Sequence, residues 1–111
     1  MPMNIKRFIQ KANDIVGSLP QELFKCLNGG LIIEPKTKKE KDYLIMGEYI
    51  EDPGLGKVIV LYYGSFKEFL QNASEKEWEE EIKDTIIHEL RHHVESLAGV
   101  DDLSEEERLE N

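Results

Sequence analysis

Residues 85–103, TIIHELRHHVESLAGVDDL, decide the fold of this chain and hold all three of its histidines. Residues 88–92 read His-Glu-Leu-Arg-His, an HExxH pattern. Residues i and i+4 of a helix lie about 40° apart and one turn along the axis, so the imidazoles of His88 and His92 can bind one metal ion with Glu89 beside them. The stretch therefore predicts a helix with a metal site on one face.

The start of this helix is marked by Ser74 and Glu77, which have the spacing of a capping box. Five glutamates crowd the first turns behind the cap, where the helix dipole favours negative charge; they are Glu75, Glu77, Glu79, Glu80 and Glu81. Gly99 is a typical residue for the position just after a helix. We therefore expect the helix to end at Ala98.

The helical periodicity places the histidines on two sides of this helix. With His88 at 0° and about 100° per residue, an apolar stripe lies between about 120° and 240°; it consists of Ile82, Ile86, Leu90, Val94 and Leu97. His88 and His92, near 0° and 40°, are predicted to face polar neighbours and solvent. His93, near 140°, is predicted to pack against the core or to form a hydrogen bond behind the metal.

The preceding chain predicts an α+β fold. Residues 4–16 have helical periodicity behind an Asn4 cap, and Pro20 begins a short second helix. Three β-like runs follow at residues 31–34, 43–51 and 57–63, and the last of them is apolar at both parities and should be the most buried. Ser65 and Glu68 suggest a capped helix before the long one. Residues 1–111 are thus expected to form one domain with a small sheet of about three strands, N-terminal helices and a long C-terminal helix.

Charge is concentrated at the C-terminal end of the chain. The formal net charge is −9, and residues 75–111 contain 14 acidic and four basic residues. This charge repels phosphate backbones and anionic membranes, so nucleic-acid and membrane binding are not expected, whereas metal ions and basic peptides are attracted. We expect residues 103–111 to form an acidic tail.

The composition gives no sign of secretion. No stretch approaches the length of a signal sequence or a membrane span, which predicts a cytoplasmic protein. The single cysteine, Cys26, permits no intrachain disulfide and is predicted to be a small core residue.

HExxH helices are typical of zinc hydrolases. Two histidines and one further protein ligand hold the ion, and the glutamate stays outside the coordination shell as a general base. This assigns His88 and His92 to a single Zn²⁺ and catalysis to Glu89. The third ligand has two sources in the sequence: Glu95, near 340° on the histidine side, or an aspartate returned by a turn at Gly99, for which Asp101 and Asp102 are available.

At these residues the chain resembles the small bacterial zincin-like metallopeptidases, which are built on an extended HExxHxxGxxD motif. The resemblance includes the order of helices, sheet and motif helix, and the Gly99-Val100-Asp101-Asp102 segment. It implies a minimal zincin fold, metal ligands at His88, His92 and Asp102, a catalytic base at Glu89, and hydrolysis of peptide bonds. Gly99 follows His92 by seven positions instead of the family's three, which keeps Glu95 as the alternative third ligand.

The sequence therefore predicts a zinc-dependent metallopeptidase that acts on short peptides or unstructured protein. The long spacing before Gly99 favours an alternative, a catalytically silent metal-binding module with a regulatory or interaction role, whose site a partner protein completes. A third reading is a purely structural acidic helix protein that binds no metal.

Overall fold

The computed structural model describes the backbone of residues 3–110 and the side chains of residues 3–99. The helices are α1 (Ile5–Ser18), a short 3₁₀ helix (Gln21–Phe24), α2 (Tyr63–Leu70) and α3 (Glu75–Glu110). The strands are β1 (Gly30–Glu34), β2 (Lys38–Glu40), β3 (Tyr43–Ile45), β4 (Gly47–Asp52) and β5 (Gly56–Tyr62). This order confirms the predicted α+β class.

The main sheet has three strands in the order β1-β5-β4. β1 runs parallel to β5 and β4 runs antiparallel to it. The central position of β5 follows from its composition, because its apolar residues occur at both parities and both faces of the strand are covered. All its residues from Val58 to Tyr62 are buried, as predicted.

The run at residues 43–51, predicted as one strand, forms two strands in different sheets. β3 pairs with β2 in an antiparallel hairpin, and β4 pairs with β5. β2 lies between the first two predicted runs, in a polar segment for which no strand was predicted. Its charged residues form a hairpin because Lys41 turns the chain with a φ of 55°, and because Lys39 and Glu40 remain exposed on its surface.

The larger part of the core lies between one face of the main sheet and the helices. It is formed by Met3, Phe8, Ala12, Ile59, Leu61, Phe66, Trp78, Ile82, Ile86 and Leu90. The side chains of β5 that point to the other face are Val58, Val60 and Tyr62, and Ile45 of the β2–β3 hairpin packs against them. The sheet therefore lies between helices and a hairpin.

The predicted capping box of α2 is wrong. Tyr62 precedes the helix, and Ser65 is fully buried inside it. The Ser65 hydroxyl bonds to the backbone N–H of Lys38 at 3.0 Å and to its carbonyl at 3.2 Å, while Glu68 pairs with Lys39. Ser65 thus fastens β2 to α2.

Cys26 is exposed, so its prediction as a core residue is also wrong. It lies in the turn between the 3₁₀ helix and β1, where its φ is 67°. A residue in this left-handed conformation reverses the chain, and its side chain does not reach the core.

α3 begins as predicted. The Ser74 hydroxyl accepts from the backbone N–H of Glu77 at 3.2 Å, and the Glu77 carboxylate accepts from the backbone N–H of Ser74 at 3.3 Å. The predicted end is wrong, because the helix continues through Gly99 to Glu110. Gly99 does not adopt the positive φ of a helix-terminating glycine. In residues 3–110 no helix is long and apolar enough to cross a membrane.

Candidate functional site

The buried face of α3 changes along the helix from apolar to polar residues. Trp78, Ile82 and Ile86 are fully buried, and further along the same face Glu89 is 8% exposed and His93 is fully buried. Leu97, predicted to be part of the apolar stripe, is 39% exposed. The buried face of α3 therefore includes Glu89 of the motif, whereas Leu97, at the end of the predicted apolar stripe, lies outside it.

His88 and His92 are both exposed, as the periodicity predicts. Their ring centroids are 4.9 Å apart and the ring planes are inclined by 88°. The two imidazoles thus occupy successive turns on the same side of α3. Nitrogen atoms in this arrangement are typical donors to a shared divalent ion.

Two grooves separate this side of α3 from β4 and the β2–β3 hairpin. The first has a volume of about 610 Å³ and is lined by Tyr49, Glu89 and His92 among others. The second, of about 420 Å³, is lined by His88 and also by Glu89. Each imidazole lines one groove and Glu89 lines both, so Glu89 borders the same space as both histidines.

The close approach of β4 to α3 depends on Gly47, which lines both grooves. A Cβ atom at this position would lie 2.8 Å from Cγ2 of Thr85 and 3.1 Å from Cδ2 of Leu61. Thr85 is one turn before Glu89 on the same face of α3. A glycine at this position therefore allows the strand to lie against the motif.

Burial raises the pKa of the Glu89 carboxyl. The neighbouring His88 and His92 oppose this rise, and so does the backbone amide of Tyr49, which faces the carboxylate. A carboxylate with a raised pKa binds a proton more readily than an exposed glutamate, which is the property required of a general base.

The electrostatic character of both grooves is acidic. The acidic residues Glu40, Glu48, Glu51 and Glu95 line the first groove, and Glu81 and Asp84 line the second. Burial and the charge of Asp84 raise the pKa of Glu81. This concentration of negative charge attracts cations to the space beside the imidazoles.

His93 is fixed in the core by two hydrogen bonds. Its Nε2 lies 2.7 Å from the carbonyl oxygen of Lys25 and its Nδ1 lies 2.9 Å from the hydroxyl of Tyr49. This confirms the prediction that His93 packs against the core or forms a hydrogen bond. The bonds connect α3 to the loop before β1 and to β4.

A family model described as zincin-like metallopeptidase matches residues 43–111, which is well over half of the chain and includes β3, β4, β5 and all of α3. The chain belongs to the zincin-like metallopeptidase family. A conserved hypothetical protein from Thermus thermophilus has a similar structure, with a TM-score of 0.73 and 34% sequence identity over 88% of this chain and 100% of that chain. No curated protein matches the chain.

The zincin-like family implies a zinc cofactor in general, and the two imidazoles fit this ion. They are accessible and on one side of α3, and a groove opens beside each. Within the described side chains, residues 3–99, no group of three or more His, Cys, Asp or Glu is placed to hold one ion. Among these residues, His88 and His92 therefore share one side of α3 without a third ligating group placed beside them.

The two candidates for the third zincin ligand differ in position. Glu95 is exposed and lines the first groove with His92. The side chains of Asp101 and Asp102 lie outside the described residues. In a continuous helix ten residues correspond to about 15 Å along the axis, so ligation by Asp102 requires α3 to end near Gly99.

Gly47, Tyr49 and Glu51 are site residues that the sequence did not identify. They alternate along β4 on the face that lies against α3, and Glu51 accepts a hydrogen bond from the Ser96 hydroxyl at 2.5 Å. The period-two alternation was visible in the sequence. The missing information was the position of β4 at the edge of the sheet, next to the motif helix.

Proposed function

We propose that the protein is a zinc-dependent peptidase in which His88 and His92 hold the ion and Glu89 is the general base. The observation that carries this proposal is the position of Glu89, which is buried on α3 beside two exposed imidazoles and lines both grooves. A bound zinc ion would supply Lewis acidity, which polarises a peptide carbonyl and makes a nearby water more acidic.

The proton transfers are assigned to Glu89. Its carboxylate takes a proton from the attacking water as the water oxygen bonds to the carbonyl carbon of the substrate. It then delivers this proton to the amide nitrogen as the C–N bond breaks, which gives a carboxylic acid and an amine. The acid passes its own proton to the amine, so that the products at neutral pH are a carboxylate and an ammonium group. The raised pKa of Glu89 supports this role, because the same group must accept and release the proton.

The substrate is proposed to be a short or unstructured peptide that binds along β4. The backbone N–H of Tyr62 donates to Met46, which is opposite Tyr62 in the antiparallel register. In an antiparallel pair, alternate residues of a strand direct their peptide groups to the neighbouring strand. Gly47 and Glu51 are one and five residues after Met46, so their peptide groups point away from β5. These groups lie at the edge that borders the first groove, where an extended peptide can pair with them.

The family resemblance implies Asp102 as the third ligand, and this assignment requires α3 to end near Gly99 in the zinc-bound protein. Glu95, which lines the first groove with His92, is the alternative that leaves the helix continuous. Zinc affinity measured for Asp102→Asn and for Glu95→Gln distinguishes the two, because only the variant that lacks a ligand binds zinc more weakly.

The test of the proposed activity is digestion of an unbiased peptide library by the zinc-loaded protein, followed by mass spectrometry. Glu89→Gln is expected to retain zinc and to lower the cleavage rate by about 10²–10⁴-fold. Glu80→Gln makes the same substitution at an exposed position of α3 and should retain the rate. Cleavage by Glu89→Gln as fast as by the parent protein would show that Glu89 is not the base.

A catalytically silent metal-binding module is the second candidate, because no third ligand is in place among residues 3–99. In that case the purified protein binds zinc through His88 and His92 and cleaves no peptide of the library. A partner protein that completes the site would then restore tight zinc binding without hydrolysis.

A further inference from the structure

Tyr49 lies beside two residues of α3 that are one helical turn apart. Its hydroxyl lies 2.9 Å from Nδ1 of His93, and Tyr49 lines the first groove together with Glu89, whose pKa its backbone amide lowers. Glu89 and His93 are four residues apart and are both buried on the same face of the helix. One residue of β4 thus borders the groove of the proposed base and is hydrogen-bonded to the histidine one turn beyond it.

The strand register explains why the amide of Tyr49 faces the helix. Even-numbered residues of β4 form hydrogen bonds with β5, as the bond between Met46 and Tyr62 shows. Tyr49 has the opposite parity, so its N–H points away from β5. It is therefore available to the Glu89 carboxylate at the border of the groove.

The hydrogen bonds of His93 determine how it holds the Tyr49 hydroxyl. The carbonyl oxygen of Lys25 can only accept, so Nε2 of His93, at 2.7 Å, donates to it. In the neutral ring Nδ1 is then an acceptor, and it accepts from the Tyr49 hydroxyl. Glu51 is farther from this hydroxyl, at 3.4 Å, and is itself bound by Ser96.

We propose that Tyr49 is a positioning residue, which, held by His93 through its hydroxyl, places its backbone amide against Glu89 and directs the carboxylate into the grooves. This inference rests on the proposed function, in which Glu89 is the base. An error of about 1 Å in the position of a catalytic group can lower a rate by about 100-fold. The Tyr49–His93 contact fixes the strand that carries the amide.

Two substitutions of His93 separate its two hydrogen bonds. His93→Asn retains an acceptor near the position of Nδ1 for the Tyr49 hydroxyl, whereas His93→Gln retains a donor near the position of Nε2 for the carbonyl of Lys25. Tyr49→Phe removes the same hydroxyl from the other side and preserves the ring. Tyr43→Phe is the matched control, because Tyr43 is 74% exposed and lines neither groove.

The first readout requires neither zinc nor activity. It is the proton chemical shift of the Tyr49 backbone amide in the zinc-free protein, and Glu89→Gln identifies the contribution of the carboxylate. His93→Gln is expected to shift this resonance in the same direction as Glu89→Gln does. His93→Asn and Tyr43→Phe are expected to leave it near the value of the parent protein.

The second readout is kinetic and uses the library peptide that the zinc-loaded parent protein cleaves fastest. Tyr49→Phe and His93→Gln are expected to lower kcat by about 10–100-fold. They should change KM by less than about twofold, since β4 stays paired with β5 and its Gly47 and Glu51 peptide groups remain available to the substrate. In the double variant the losses in kcat should be less than additive, because both substitutions break the same hydrogen bond between Tyr49 and His93.

The positioning role is overturned if His93→Gln leaves the amide resonance unchanged, or if His93→Asn and His93→Gln affect it equally. It is also overturned if Tyr49→Phe cleaves as fast as the parent protein. If the parent protein cleaves no peptide, the proposed function fails, and the amide resonance alone then decides whether Tyr49 positions Glu89.

Discussion

His92 and His93 are consecutive residues of α3 with opposite surroundings. His92 is exposed beside the first groove, and His93 is fully buried with a hydrogen bond at each ring nitrogen. A helix rotates by about 100° per residue, which is enough to turn one imidazole to solvent and the next to the core. One turn of α3 thus presents a proposed metal ligand on one side and attaches the helix to the sheet on the other.

The largest effect expected from this comparison is on zinc affinity. His92→Leu removes a proposed ligand and should weaken zinc binding by more than about 100-fold. This loss is larger than the loss of about 10–100-fold in metal affinity that follows when a residue hydrogen-bonded behind a ligand is replaced. His93→Gln should stay within that smaller range. Isothermal titration calorimetry with zinc measures both, and equal losses in the two variants would remove the distinction between the two histidines.

The free energy of unfolding should change more when His93 is replaced than when His92 is replaced, the opposite of the order expected for zinc affinity. His93→Leu leaves the carbonyl of Lys25 and the hydroxyl of Tyr49 without their partner in the core, which should lower the free energy of unfolding by about 2–5 kcal/mol. His92→Leu changes an exposed side chain and should alter it by less than about 0.5 kcal/mol. Urea denaturation of zinc-free protein tests this pair. A His92→Leu variant less stable than His93→Leu would contradict the assignment.

The distance between β4 and α3 can be tested at Gly47. Gly47→Ala places a methyl group against Thr85 and Leu61, which should destabilise the protein by about 1–3 kcal/mol. Gly17→Ala is the control, since Gly17 lies in α1 with open space around it; a helical alanine there should stabilise by about 0.5–1 kcal/mol. Thermal unfolding followed by circular dichroism compares the two. Equal stability of both variants would mean that the strand does not need the close approach.

The smallest effect concerns Glu48, on the face of β4 that points away from α3. Burial raises the pKa of its carboxyl, but hydrogen bonds from Lys38 at 2.5 Å and Tyr62 at 2.6 Å outweigh this and hold it below the ordinary value of 4.5. A lowered pKa stabilises the fold above pH 4.5, and this contribution disappears as the pH falls through the pKa of the folded state.

Glu48→Gln should therefore be less stable than the parent protein at pH 7, by about 1 kcal/mol or less, and the difference should shrink towards pH 3. Urea denaturation of zinc-free protein at both pH values measures it. A difference that grows as the pH falls would contradict the assigned hydrogen bonds.

Local signals predicted the start and the faces of α3 well. The Ser74–Glu77 cap and the exposure of His88 and His92 depend on residues within one or two turns, so the sequence contains them directly. The class of the fold and the burial of β5 also follow from periodicity. These features include two proposed metal ligands and the proposed base.

Long-range contacts could not be predicted in the same way. Ser65 has the spacing of a cap, yet it bonds to Lys38, which is 27 residues away. Tyr49 joins the site only because β4 forms the edge of the sheet beside α3. Gly99 permits a helix end but does not require one, so local preference alone could not fix the end of α3.

X-ray absorption spectroscopy at the zinc edge tests the central claim most directly, because it counts the imidazoles bound to the metal. The account predicts two imidazole nitrogens at about 2.0–2.1 Å in the zinc-loaded parent protein and in Glu89→Gln, and only one in His92→Leu. A spectrum of the parent protein without imidazole scattering, or an unchanged spectrum in His92→Leu, would contradict a zinc centre held by His88 and His92.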